Sequence, residues 1–424
     1  MRGIDDIKRR KEIIEKGGVL TIPFPIPSFR GIYPGLEREQ LILCTSYSKA
    51  GKTQFSSWAI LYNSIDFCIK HNKELEEQIK DKKDEEKEEI RKKKRIDINV
   101  FYCNWEESIE RVEQRFISYL LYKHHKIRIA PSRLRSSGNI PLPNAIIDLI
   151  NSPEVQEELN YWKDHVTYIT ETNPTAIYKT VKTFLCEHGK EEKEKYTVKY
   201  TEKDPITDKE VVREEEREKV VGYKEDNPNT INLIFIDHIS CCTTERGYTL
   251  KQSIDKIVDY CVGFRNTYKV STLIIQQQNT QGESAQNIKI NKIRPSKEGL
   301  ADSTYTGNYC NILFGLFSPI KYEIDNYCNY PIKGSRGFGD NIRFLECVLN
   351  RDGAASAGEL LPLFFDGKVC WYHELPSTSI LNEKDKEMLP KWLNLAVKYK
   401  SEKKIPNDKK EEQLDLDFIN EILQ

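Results

Sequence analysis

Leu41-Ile42-Leu43-Cys44-Thr45-Ser46-Tyr47-Ser48-Lys49-Ala50-Gly51-Lys52-Thr53 decides the fold of this chain. The apolar run at its start reads as a buried strand, the small-residue run as a tight loop, and Gln54 to Phe67 as a helix. Strand, loop and helix in that order are the context in which a Gly-Lys-Thr sequence binds phosphate. Backbone N–H groups of the loop and of the helix N-terminus can wrap an anion. Ser46, Ser48, Lys49, Ala50, Gly51, Lys52, Thr53 and Gln54 are therefore the expected nucleotide contacts, with ATP as ligand. Lys52 would reach the β- and γ-phosphates, and Thr53 would bind Mg²⁺. Ser46 stands where the usual pattern opens with glycine. A Gly-Lys-Thr that merely opened a helix would need no strand before it.

Working outward, the 424 residues suffice for one large domain with insertions, or for two. Charged residues make up 31% of the chain, yet the net charge is only -1, so any polyanion site must be a local patch. No run of about eighteen apolar residues exists to span a membrane. Met1 to Lys16 lacks the apolar centre of a signal peptide. The cysteines sit singly in apolar runs rather than in C-x-x-C sets, as in a cytoplasmic protein with reduced thiols.

Met1 to Lys16 reads as an amphipathic helix ended by Gly17-Gly18. Short apolar runs end in polar residues at Asn99–Asn104, His165–Thr170, Asn232–Asp237, Ser271–Gln276, Asn311–Phe317, Ile342–Leu349 and Leu361–Phe365. Helical patterns alternate with them, which predicts a mostly parallel sheet covered on both faces. Two charged stretches interrupt this order. Residues 69–97 read as a lone solvated helix held by Glu–Lys pairs. Residues 187–228 read as an exposed β-hairpin or a loop. Residues 377–424 form a C-terminal helix and a charged tail.

Phosphoryl transfer needs positioning and charge neutralisation more than covalent chemistry. Asp237 closes the run NLIFID, and a carboxylate at the end of a buried strand is costly unless it faces a ligand, so it is the expected Mg²⁺ partner. An acid is also needed to polarise water. Glu106 and Glu107 follow the strand NVFYCNW and compete for that role; either also suits the first turn of a helix. Gln277 ends a strand and is placed to sense a γ-phosphate, although a polar strand end needs no such role. Arg351 follows IRFLECVLN and could stabilise charge at a neighbouring subunit's nucleotide.

Together these positions make the chain resemble the C-terminal ATPase domain of replicative hexameric helicases of the DnaB type, a branch of the RecA-like family. The resemblance covers residues 18–376 apart from the two insertions. It rests on TSYSKAGKTQF, VFYCNWEES, LIFIDH, Gln276-Gln277-Gln278-Asn279, LNRDG and the closing FDGKVCWY. It implies a RecA-like P-loop ATPase core, and it selects Glu106 as the catalytic glutamate. Asp237 takes the metal role, Gln277 the sensor role and Arg351 that of the arginine finger. Leu349 stands where the family has a lysine. The family's separate N-terminal helical domain has no counterpart before residue 18, and the helix 1–17 would serve as a linker onto the next subunit or pack on its own. The implied activity is ATP-driven, 5'–3' translocation of a hexameric ring on single-stranded DNA. DNA would be held by the loops 240–250 and 278–300, through Arg246, Lys289, Lys292, Arg294 and Lys297. A recombinase-type or clock-type ATPase, or a non-catalytic scaffold on the same fold, are the alternatives. In the tail, Gln413, Leu416 and Phe418 are spaced as in peptides that dock on sliding clamps, or as one face of a helix.

Overall fold

The computed structural model describes residues 2–203, 210–289, 293–353, 355, 358–377 and 382–403. Its centre is a nine-stranded sheet. In chain order the strands are β1 (Leu41–Ser46), β2 (Asp97–Asn104), β3 (Val166–Tyr168), β4 (Thr230–Asp237), β5 (Ser271–Gln277), β6 (Ile312–Phe317), β7 (Ile342–Asn350), β8 (Leu361–Asp366) and β9 (Trp371–Glu374). Across the sheet they run β9-β8-β7-β6-β1-β5-β4-β2-β3. The block from β6 to β3 is parallel, and β7, β8 and β9 add an antiparallel edge. This is the mostly parallel α/β architecture that the strand–helix alternation predicts.

The two-residue period of each strand divides the core into two layers. Ile42, Cys44, Val100, Tyr102, Leu233, Phe235, Leu273 and Ile275 face one way, onto Phe55, Ile65 and Phe116. Leu41, Leu43, Phe101, Cys103, Ile234, Ile236 and Ile274 face the other, onto Val181, Ile257 and Phe264. Burial on both faces is why these strands read as unbroken apolar runs. The helices are set by local chemistry: Asn173 caps Pro174–Glu187, and Thr249 and Gln252 form a capping box on Leu250–Tyr268. Among the described residues no helix is long and apolar enough to cross a membrane, and all eleven cysteines are free thiols.

Residues 69–97 are not a lone spur. The helix that begins at the phosphate loop passes through a π-helical turn, Ser57–Tyr62, and continues as Asn63–Ile79; a second helix, Asp84–Lys94, folds back along it. Leu75 and Ile79 are buried, and Arg91 grips both carboxylate oxygens of Glu76 at 2.6 and 2.8 Å. Two apolar residues at i,i+4 were enough to seat the first helix. The other charged stretch contains two long paired strands, Gly189–Lys203 and Glu210–Glu225. Its base is fixed by Tyr223, which donates to the Leu185 carbonyl at 2.7 Å.

Candidate nucleotide site

The phosphate loop leaves β1 at the buried Ser46 and turns twice through left-handed backbone, at Lys49 (φ 66) and Gly51 (φ 91). Such alternation points successive N–H groups into one concavity. Gly51 is required: a Cβ there would sit 3.0 Å from the Tyr372 hydroxyl, on a backbone that L-residues rarely adopt. Lys52 opens the following helix and is 8% exposed. Burial pushes its ammonium pKa down, while the nearby Asp237 and Glu106 carboxylates act against that shift.

β1, β5, β4 and β2 are adjacent and parallel, so their C-terminal ends deliver Ser46, Gln277, Asp237 and Asn104 to one edge. Thr53 Oγ1 donates to Asp237 Oδ1 at 2.9 Å. Burial pushes the Asp237 carboxyl up to about 6; Arg115, the Thr53 hydroxyl and Lys52 pull it back down. A buried carboxylate and a hydroxyl meeting at the mouth of a phosphate loop are the hard oxygen donors that Mg²⁺ prefers. Among the described residues no cluster of three or more His, Cys, Asp or Glu side chains is built to hold a metal by itself. That suits an ion whose remaining ligands are phosphate oxygens and water.

Glu106 and Glu107 are separated by their surroundings. Glu107 is ion-paired to the buried Arg115, and its carbonyl accepts from Asn104 Nδ2 at 3.2 Å. The Glu106 side chain is 54% exposed and has its carboxylate 3.8 Å from His238 Nε2. Gln277 is half-buried beside the phosphate loop, in register with Ser46. Its neighbours face away from it: Gln276 donates to the carbonyls of Ala301 and Ser303, and Gln278 donates to Thr45 Oγ1 at 2.9 Å and to the Ser296 carbonyl at 2.8 Å.

Arg351 lies at the opposite edge. β7 runs antiparallel to β6, so Asn350 pairs with Ile312, which is level with Ile42 near the start of β1. Arg351 there donates to the carbonyls of Cys310 and Asn308 at 2.8 and 2.7 Å. It does not join Lys52 and Asp237 within one chain.

The two expected DNA loops do share an edge. Ser240 Oγ donates to Asp302 at 2.5 Å, just beyond the 278–300 segment, whose base is closed by a bridge between Gln278 and Leu300. Arg246 is exposed, next to Gly247 (φ 84). Lys297 is half-buried. Arg294 turns elsewhere, donating to the Tyr327 hydroxyl at 3.2 Å and to the Gly358 carbonyl at 2.9 Å, with Glu346 at 3.7 Å. The Lys289 side chain and all of Lys292 lie outside the described residues, as do Gln413, Leu416 and Phe418.

Sequence reasoning missed the brace behind the loop. Arg343, 2% exposed, donates from Nε to the Ala50 carbonyl at 2.7 Å and reaches Asp340 at 2.8 Å. Tyr372 Oη donates to the Gly51 carbonyl at 3.0 Å, and Gln54 Nε2 to the Gly367 carbonyl at 3.1 Å. An arginine inside the otherwise apolar IRFL was the available signal.

No protein-family model and no curated protein matches this sequence. Solved structures do match its fold. One, an ATPase domain solved on its own, superposes over 89% of this chain and 99% of its own length, with a TM-score of 0.55 at 12% identity. Another, a DnaB-like replicative helicase whose structure is described with its interactions with primase, superposes over 86% of this chain with a TM-score of 0.54 at 12% identity. The fold is that of a DnaB-type helicase ATPase domain. The chain spans 66% of the length of that second protein. The DnaB-type fold accounts for the antiparallel edge, which closes the sheet beside the phosphate loop, and for the placement of both loops at one end.

Proposed function

We propose that this protein is an ATP-dependent DNA helicase that assembles as a ring, a hexamer, and translocates 5'–3' on single-stranded DNA. The observation that carries the reading is the bond between Thr53 and Asp237 at 2.9 Å, at the mouth of a loop headed by a buried lysine. Lys52 neutralises the transferred phosphoryl charge, and Thr53 and Asp237 hold Mg²⁺, which supplies charge stabilisation at the phosphates. Glu106 is the base that orients water; the Arg115 ion pair keeps Glu107 out of that role. Gln277 reports the state of the nucleotide to the loop that follows it.

The edge-to-edge separation of Arg351 from Asp237 supports a site shared between subunits. The N-terminal helix, Arg2–Glu15, supports assembly too: Ile4, Ile7 and Ile14 are exposed on it, at spacings that form one stripe. Arg246, Lys289, Lys292 and Lys297 are the proposed backbone contacts, and a ring multiplies that modest patch. Arg294, tied to Tyr327 and Gly358, serves the loop's anchorage instead.

Lys52→Ala is expected to abolish ATP hydrolysis and forked-duplex unwinding; wild-type turnover in that variant would refute the assignment. Native mass spectrometry beside the unwinding assay separates a ring helicase from an ATPase that remodels DNA without unwinding it.

A further inference from the structure

Glu106 lacks what a general base needs, a partner that fixes its direction. Its side chain is mostly in solvent. The residue facing it is His238, which directly follows Asp237 and whose side chain is only 12% exposed. One nitrogen of that ring, Nε2, lies 3.8 Å from the Glu106 carboxylate and 3.3 Å from Cys241 Sγ. Cys241 ends the 3₁₀ turn Ile239–Cys241, and its backbone N–H bonds the His238 carbonyl at 3.0 Å, so the turn holds thiol and imidazole together. The other nitrogen, Nδ1, is buried with no partner among the described residues.

We propose that His238 is a positioning residue for ATP hydrolysis: its Nε2–H, steadied on one side by Cys241, aims the Glu106 carboxylate at the attacking water. This rests on the ATPase reading above. An ionised carboxylate only accepts hydrogen bonds, so a proton on Nε2 is the arrangement that satisfies Glu106. The remaining gap closes by a rotation of the exposed Glu106 side chain, while the imidazole stays packed. The order carboxylate, imidazole, thiol therefore serves aim rather than nucleophilic attack: burial raises the Cys241 pKa and keeps the thiol protonated. A base misplaced by about 1 Å can lose roughly a hundredfold in rate. Binding of nucleotide does not use Glu106, so affinity should be spared.

The test is a double-mutant cycle on the full chain with a second readout. Single-turnover ATP hydrolysis and the affinity for a fluorescent non-hydrolysable ATP analogue are measured for wild type, His238→Ala, His238→Gln, Glu106→Gln and the Glu106→Gln/His238→Ala double variant. His238→Ala should slow hydrolysis at least about tenfold, with analogue affinity unchanged. His238→Gln should recover most of the rate, since its amide can donate from a similar place. In the Glu106→Gln background, His238→Ala should cost little more, because it acts through Glu106. An equal loss in both backgrounds, a parallel loss of analogue affinity, or a wild-type rate in His238→Ala would each overturn the proposal. Failure of the wild type to hydrolyse ATP while binding the analogue would instead overturn the ATPase reading, and the proposal with it.

Discussion

Arg343 donates from Nε to the carbonyl oxygen of Ala50 at 2.7 Å, and this bond ties the antiparallel edge of the sheet to the phosphate loop. The guanidinium lies 4.4 Å from the centre of the Phe365 ring and also donates to the carbonyls of Asp340 and Ile342. The loop is thus braced from behind by a strand far away in sequence.

Arg343→Met should show how much of the loop's shape depends on that brace. The substitution removes several charge-assisted bonds and leaves the Ala50 carbonyl unpaired, which should cost roughly 3 kcal/mol of stability. Urea denaturation measures it. Nucleotide affinity should fall as well, since the loop no longer holds its concave form without ligand.

Arg351 sits at the edge of the sheet away from its own Thr53 and Asp237. The strand β1 alone separates the two ends by roughly 15 Å. Arg351→Ala and Lys52→Ala should therefore each be inactive alone, yet recover partial ATP hydrolysis when mixed and reassembled. Mixed rings contain some interfaces with an intact Lys52 on one side and an intact Arg351 on the other. No recovery at any mixing ratio would mean that Arg351 does not act across subunits.

The parts that were legible in the sequence are those where burial alone dictates residue type. LILC and NLIFID are buried on both faces, so they could be nothing but apolar, and Asp237 stood out against them. What was illegible depends on register. Arg343 meets Ala50 only because β7 reverses beside β6, and a local pattern carries no information about that reversal. Gln276, Gln277 and Gln278 look interchangeable in the sequence; alternation along β5 sends the first to Thr306, the third to Thr45, and leaves Gln277 beside the loop. Arg294 read as one more basic loop residue until Tyr327, distant in sequence, arrived beside it.

Asp237 should destabilise the metal-free protein above the pH at which it ionises. Its folded pKa, about 6, lies above the ordinary 3.8, so the native state favours the protonated form. The corresponding stability is fully present below pH about 4 and is lost as the pH rises through about 6. Asp237→Asn resembles the protonated form. In EDTA at pH 7.5 it should gain up to roughly 3 kcal/mol over wild type, and the gain should vanish near pH 4. Mg²⁺-dependent nucleotide binding should be lost in the same variant. Chemical denaturation at both pH values, with isothermal titration for binding, checks both halves.

Tyr47, in the phosphate loop, and Gly282, in the segment after β5, are in direct contact: a Cβ on Gly282 would lie 2.1 Å from the Tyr47 hydroxyl. Tyr47 has no room to retreat. It is 5% exposed, its ring meets Tyr322 edge-on at 6.3 Å, and Lys321 lies over it at 5.8 Å. Tyr322 Oη in turn donates to Glu283 at 2.7 Å, so the turn Thr280–Glu283 is held on both sides. Gly282→Ala should therefore push the 278–300 segment off the phosphate loop rather than move the tyrosine. DNA-stimulated ATP turnover should fall several-fold, while basal turnover changes little. Combining it with Tyr47→Phe removes the clashing oxygen and should restore stimulation. Loss of basal turnover without loss of the stimulation ratio would show that the contact supports the nucleotide site alone and does not link it to DNA.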